Sequence, residues 1–214
     1  PGELRHQYFA LRHGESEANV AGIIISDPAV GTAKYGLTPA GREAVALSAG
    51  AFAAEAEGRG ELGGSLLVVA SDFRRTCETA EVFIEALRPR LSQAGGSVEM
   101  RRAEGLRERW FGELEGGPNT AYEEVWSHDR EDPSSRPRRA ESALSVVART
   151  VALVRRLEKE ELPAGTAVVL VSHGDALQLL QTAFQRRDAS EHRQLPHLHP
   201  GELRRLSLAG GEAR

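Results

Sequence analysis

Three short apolar runs, each cut off by polar residues and a helix start, limit what this chain can become. Tyr8-Phe9-Ala10-Leu11 stops at Arg12-His13-Gly14. Leu66 to Ala70 stops at Ser71-Asp72-Phe73-Arg74-Arg75-Thr76, and Thr166 to Val171 stops at Ser172-His173-Gly174. Apolar runs of that length without polar alternation are strands covered on both faces, the habit of parallel sheets. Helical stretches separate them, so the expected fold is α/β: one domain, 1–214, with a mostly parallel central sheet flanked by helices on both faces.

The remaining elements follow from local signals. Gln7–Leu11 reads as the first strand and Glu15–Ala21 as a short helix that turns Asn19 back toward His13. Thr38 as N-cap and Pro39 at the first helical position start a helix that should run to about Gly58. Asp72 is expected to cap a helix reaching about Leu87 and ending before Pro89. Ser97–Arg101 is a weaker strand, Glu104–Gly117 irregular, and Ala121–His128 a short helix before a charged loop at Arg130–Arg139. Apolar residues at Val146, Val147, Val151, Val154 and Leu157 give Ser142–Glu160 an amphipathic helical period. A helix over Asp175–Phe184 and an edge strand over Leu203–Leu208 complete the chain.

Composition narrows the function. A net charge of −4 offers no basic field for nucleic acid or an anionic membrane, and no apolar run approaches the roughly 20 residues needed to span a bilayer. The basic residues are nearly all arginine, with lysine only at Lys34 and Lys159. The single cysteine, Cys77, precludes an internal disulfide framework and fits a reducing, cytoplasmic setting. Beginning on Pro1 rather than Met, the chain reads as a trimmed form, which leaves an organellar address and the oligomeric state open.

In a parallel sheet the three strand ends emerge on one edge. Two histidines, His13 and His173, and arginines from 12 and 74–75 would then surround one small volume. Such a cluster repels itself unless an anion sits within it, and a phosphate monoester near −2 charge with three acceptor oxygens suits it. Helix N-termini after Gly14, Asp72 and Gly174 would add backbone donors. Gly14 is expected to let the backbone turn sharply and leave room beside the His13 imidazole. His192, His197 and His199 match no structural zinc spacing, so no metal is expected there.

The motifs together resemble the histidine phosphatase superfamily, in the branch that includes cofactor-dependent phosphoglycerate mutases and fructose-2,6-bisphosphatases. Arg12-His13-Gly14-Glu15-Ser16-Glu17-Ala18-Asn19 is similar to the family signature, and Leu37-Thr38-Pro39-Ala40-Gly41 to its next segment. Ser71–Ala80, Leu106–Gly116 and Val171–Gly174 resemble the later motifs in the family's order. The resemblance implies that His13 is the nucleophile that becomes phosphohistidine, that Arg12, Arg74 and His173 form the phosphate pocket, that Asn19 assists, and that Glu108 donates a proton to the leaving group. Arg75, beside Arg74, reads as a solvated helix residue. Two departures from the family pattern stand out. Ala140-Glu141-Ser142 stands where the family often has Gly-Glu-Ser, which argues against a tight glycine turn there, and the Ile23–Tyr35 loop lacks the mutases' Gly-Trp pair. That loop and Pro118–Arg139 are expected to form the lid.

The resulting expectation is a phosphomonoesterase that needs no cofactor or metal and takes a small phosphorylated substrate, with neither nucleic acid nor membrane as partner. The alternatives are a mutase that returns the phosphate to bound product, and a non-catalytic phosphate-binding or scaffolding protein.

Overall fold

The structure, a computed structural model, describes residues 4–210. Positions 1–3 and 211–214, the ends of the expected 1–214 domain, lie outside the described residues. The strands are β1 (Gln7–Arg12), β2 (Ser65–Ala70), β3 (Ser97–Arg102), β4 (Ala167–Ser172) and β5 (Leu203–Leu206). The helices are α1 (Glu17–Ala21), α2 (Pro28–Gly31), α3 (Pro39–Gly58), α4 (Arg74–Ala94), α5 (Glu123–Glu131), α6 (Ala143–Leu157) and α7 (Gly174–Phe184). The sheet order is β3-β2-β4-β1-β5. β1 and β2 both pair in parallel with β4, β3 is parallel to β2, and only β5 runs antiparallel, at the β1 edge. The carboxyl ends of β2, β4 and β1 therefore lie side by side.

Strand alternation sends successive side chains to opposite faces, and both faces are apolar. Phe9, Leu11, Val68 and Val169 join Val45, Phe52, Phe83 and Leu87 from α3 and α4. Tyr8, Ala10, Val69 and Val168 join Leu153, Leu157, Leu177 and Leu180 from α6 and α7. A third cluster, Ile24, Phe111, Leu114, Val125 and Ala140, ties the 23–35 loop to the 118–139 segment. A bridge between Ile23 and Pro118 and a hydrogen bond from Ile24 N to Gly117 O (2.9 Å) fasten the same two segments. Among the described residues no helix is long and apolar enough to cross a membrane.

Two local expectations change. α4 does not stop before Pro89 but runs through it to Ala94, ending at Gly95 with φ 76°. An interior proline costs about 3 kcal/mol. Leu87 and Leu91, buried on either side of it, contribute about 1.5–3 kcal/mol each. Packing wins, and the helix continues. Nor does Asp72 cap α4: Phe73 holds that position without a side-chain bond, while Asp72 accepts two bonds from Arg107 at 2.9 and 2.6 Å. At Ala140 no glycine turn is needed, because its φ is −64° and its methyl is buried in the third cluster.

Candidate active site

The backbone at the end of β1 is pinned before any chemistry begins. Gly14 N donates to Thr79 Oγ1 (3.1 Å), and that hydroxyl donates to Arg75 O (2.7 Å). A Cβ on Gly14 would stand 2.6 Å from Gly41 O, and one on Gly41 would stand 2.2 Å from Glu15 O. The glycine at 14 thus serves close approach to the start of α3 rather than a turn of unusual dihedral angle.

His13 is buried at this edge, and its Nδ1–H donates to Gly14 O (2.8 Å). That bond fixes the tautomer and leaves the Nε2 lone pair available, where it accepts from Arg75 Nε (3.2 Å). Arg75 Nη2 donates to His173 Nδ1 (2.9 Å) and to Ile25 O (2.9 Å). His173, fully buried, uses its other nitrogen on Ser71 Oγ (3.0 Å), and its ring lies 5.3 Å from that of His13. The three strand ends are thus linked through one guanidinium, and it belongs to Arg75.

Arg74 is not that residue. Its side chain is about half exposed, and its Nε pairs with Glu78 at 2.8 Å, one turn on along α4. The correction is geometric: neighbours on a helix point about 100° apart, so only one of two adjacent arginines can enter the cleft. Arg75 takes the inward position and Arg74 the solvent. Replacing Arg75 by Ala is expected to lower kcat/KM by about 10²–10³-fold, the scale of one lost oxyanion donor. Replacing Arg74 by Ala should change it by less than about threefold, because an exposed ion pair does little. Steady-state kinetics on the two variants separate the assignments.

Arg12 is half-buried and held by Leu198 O (2.8 Å) and by His197 Nε2 (2.7 Å). Burial and the Arg12 charge push the His197 imidazole down to about 4, so it is neutral and accepts from the guanidinium. His197 therefore serves Arg12, while His192 is buried beside Asp129 and Asp175. Among the described residues no three or more His, Cys, Asp or Glu side chains are placed to hold a metal ion. Asn19 has a further role. Its side-chain oxygen accepts from Ser16 N (3.0 Å) and Ser16 Oγ (2.9 Å), which caps α1. Only its amide nitrogen is left for a ligand.

Electrostatics follow from burial. Desolvation first, then the charges of Arg75 and Arg12, hold His13 well below the usual imidazole range, and His173 is lowered in the same way. Both rings are neutral at neutral pH. Burial pulls the Arg75 guanidinium down to about 10, still charged, and lowers Arg12 as well. Two donors in this cluster, Arg12 Nε and Arg75 Nη1, are buried without a partner among the described residues. Buried N–H groups left unpaired are rare and costly, and here they ask for an anion.

Glu108 reaches the same volume from the irregular segment after β3. Its Oε1 accepts from Arg109 N (2.9 Å) and from Ala176 N (3.3 Å) at the start of α7. Burial, followed by the charge of Asp175, pushes its carboxyl up to about 7, against the opposing pull of Arg75 and Arg12. Glu113 is half exposed and paired with Arg139, and Glu115 is bonded to Ser26, so neither competes for this place.

Behind Glu108 stands a buried charge network that the sequence did not reveal. Arg109, fully buried, donates to both oxygens of Asp129 (2.6 and 2.8 Å) and to Asp175 (3.3 Å). Asp175 also accepts from Trp126 Nε1 (3.0 Å), and Trp126 stacks on Tyr122 at 5.1 Å under the Arg193 guanidinium at 3.7 Å. These contacts join α5, in the expected lid, to the N-terminus of α7.

No curated protein matches the chain in sequence. Among solved structures, a mycobacterial glucosyl-3-phosphoglycerate phosphatase complexed with VO3 is 25% identical, with a TM-score of 0.70 over 92% of this chain and 88% of that one. A second, named mycobacterial hydrolase 1, is 25% identical with a TM-score of 0.69 over 92% and 89%. A phosphoserine phosphatase from Entamoeba histolytica, in complex with 3-phosphoglyceric acid, shares the fold at 20% identity, with a TM-score of 0.67 over 92% and 88%. The sequence model of the histidine phosphatase superfamily (branch 1) matches residues 8–214, nearly the whole chain, and the chain belongs to that superfamily.

Proposed function

We propose that the chain hydrolyses phosphate monoesters by two in-line transfers through His13. The family and the phosphatases among its structural neighbours make it a phosphoric monoester hydrolase of small phosphorylated metabolites. The residue roles rest on the site. In the first transfer the Nε2 lone pair of His13 attacks phosphorus, the bond to the leaving oxygen breaks, and Glu108 supplies that oxygen with a proton. In the second, water attacks phosphorus, Glu108 takes its proton, and the P–N bond breaks to restore neutral His13 and release phosphate. Arg12, Arg75 and His173 hold the phosphoryl oxygens, with the Asn19 amide nitrogen, left over by the capping box, as an accessory donor.

The observation that carries this reading is the pair of buried guanidinium nitrogens of Arg12 and Arg75, without partners among the described residues, beside a neutral histidine whose Nε2 lone pair is engaged by the Arg75 Nε–H alone. An approaching phosphate takes over the Arg75 donor that now rests on His13 and frees the nucleophile. A scaffold has no need of a proton donor near 7 next to such a pocket.

Hydrolysis is favoured over mutase chemistry by the lid. A mutase must hold a second anionic group and keep water from its phosphoenzyme. The arginines offered by the 130–139 loop do not supply that charge: Arg136 is exposed, Arg138 pairs with Glu124 at 3.0 Å, and Arg139, 86% exposed, pairs with Glu113. The relatives named as phosphatases of glucosyl-3-phosphoglycerate and phosphoserine make phosphorylated hydroxy acids and their glycosides the first substrates to try. With 3-phosphoglycerate and catalytic 2,3-bisphosphoglycerate, the expected product is free phosphate. Rapid conversion to 2-phosphoglycerate with little phosphate released would reverse the choice.

A further inference from the structure

Arg75 is long, and a long side chain in a cleft needs more than its ligand to hold it still. Its guanidinium lies over the Phe73 ring at 4.9 Å, and apart from the two histidines its one hydrogen-bond acceptor among the described residues is the carbonyl of Ile25, which accepts from Nη2 at 2.9 Å. That carbonyl belongs to the same peptide group as the Ser26 N–H. The group is planar, so fixing the N–H direction fixes the carbonyl direction on the opposite side. Glu115 does the fixing. Its Oε2 accepts from Ser26 N at 2.7 Å and from Ser26 Oγ at 2.6 Å, and Ser26 Oγ in turn accepts from Phe111 N at 3.0 Å. Ser26 is 2% exposed, and the other Glu115 oxygen is buried with no partner among the described residues. A carboxylate this committed to one peptide, without an arginine or lysine bonded to it, is unusual as a mere packing element.

We propose that Glu115 is a positioning residue for the phosphate site: through the Ile25–Ser26 peptide it aims the guanidinium of Arg75. The inference rests on the reading that Arg75 holds the transferred phosphate. Glu115 touches neither substrate nor nucleophile. It acts by keeping a lid carbonyl in place, so the 23–35 loop is part of the phosphate site and more than a cover. The charge of Glu115 also favours the protonated form of Arg75, which burial opposes.

The test compares Glu115→Ala, Glu115→Gln and Glu115→Asp with Arg75→Ala, reading inorganic phosphate affinity by calorimetry and turnover of p-nitrophenyl phosphate, both well below the melting temperature. Gln keeps an acceptor oxygen at the same reach, whereas Asp is one methylene shorter and Ala has none. Glu115→Ala should weaken phosphate binding and kcat/KM together by about 10- to 100-fold, the scale of one or two lost charge-assisted hydrogen bonds. Glu115→Gln should stay within about threefold of the parent, since the geometry survives and only the charge goes. A structural role alone would lower the melting temperature and leave phosphate affinity unchanged, and that result overturns the proposal. So does a Gln variant as weak as the Ala variant. If the Ala variant does not fold, the Asp variant carries the test, and equal phosphate binding by the Asp and Gln variants overturns the proposal. Unchanged phosphate binding in Arg75→Ala would instead remove the underlying site reading.

Discussion

Exchange of His13 for alanine ends turnover and leaves the chain folded. Phosphate monoesters are among the slowest of substrates to hydrolyse unaided, and catalysis has to supply up to about 10²¹-fold. Passing the phosphoryl group to a positioned nitrogen splits that displacement into two easier ones. The imidazole is suited to the task because burial and two guanidinium charges keep it neutral, and because its bond to Gly14 O reserves Nε2 for attack. The expected loss is at least about 10⁴-fold, as for other nucleophiles that act as part of a unit. The cost in stability should be only about 1–3 kcal/mol, since the substitution leaves Arg75 Nε and Gly14 O short of one partner each. Turnover and thermal melting measured on the same sample check both halves. A phosphorylated substrate should also leave an acid-labile, base-stable label on His13. Label confined to another residue, or full activity in the alanine variant, would sink the mechanism.

The edge of the sheet was legible because its information is local. Each buried strand announces itself by an unbroken apolar run, and the polar residues that follow are its neighbours in sequence as well as in space. What failed was the phase of a helix. Arg74 and Arg75 are indistinguishable as residue types, and placing the helix start at Asp72 gave no reason to choose between them. Yet the signal was present: Arg75 lies four residues before Thr79 and eight before Phe83, all buried, whereas Arg74 lies four before its ion-pair partner Glu78. The inward stripe of α4 is therefore readable from its apolar end, and it contains Arg75.

Other features were beyond reach for a different reason. Arg109, Asp129, Asp175 and His192 come from separate segments, and nothing in the spacing of four polar residues says that they meet. Asn19 has a local role that the motif did not announce. The short helix turns it back toward His13 in the sequence reading; a Ser three residues before it completes a capping box, and that local bond takes the side-chain oxygen and leaves the amide nitrogen. In both cases short-range backbone chemistry or long-range burial decided the outcome, neither of which a motif encodes.

Glu108 yields the second large effect, and one whose form is diagnostic. An alkoxide departs poorly near neutral pH, and general acid catalysis is typically worth about 10²–10⁴-fold. The carboxyl is pushed up to about 7, chiefly by burial and next by the charge of Asp175. The direction follows from this: the acid is protonated below about 7 and lost above it, so kcat/KM on an alkyl phosphate should fall about tenfold per pH unit on the alkaline side. Below about 6 the substrate itself gains a proton, which gives the profile its other limb. Glu108→Gln should cost about 10²–10⁴-fold on alkyl phosphates and remove the alkaline limb. It should largely spare the first transfer from p-nitrophenyl phosphate, whose leaving group departs without a proton. Because Glu108 also takes the proton from water in the second transfer, a burst of p-nitrophenol ahead of slower turnover is the expected signature in that variant. Equal loss on both substrates in the burst phase, or no loss on either, would remove Glu108 from the role. No neighbouring carboxylate would inherit it readily, since Glu113 faces solvent with Arg139 and Glu115 is spent on Ser26.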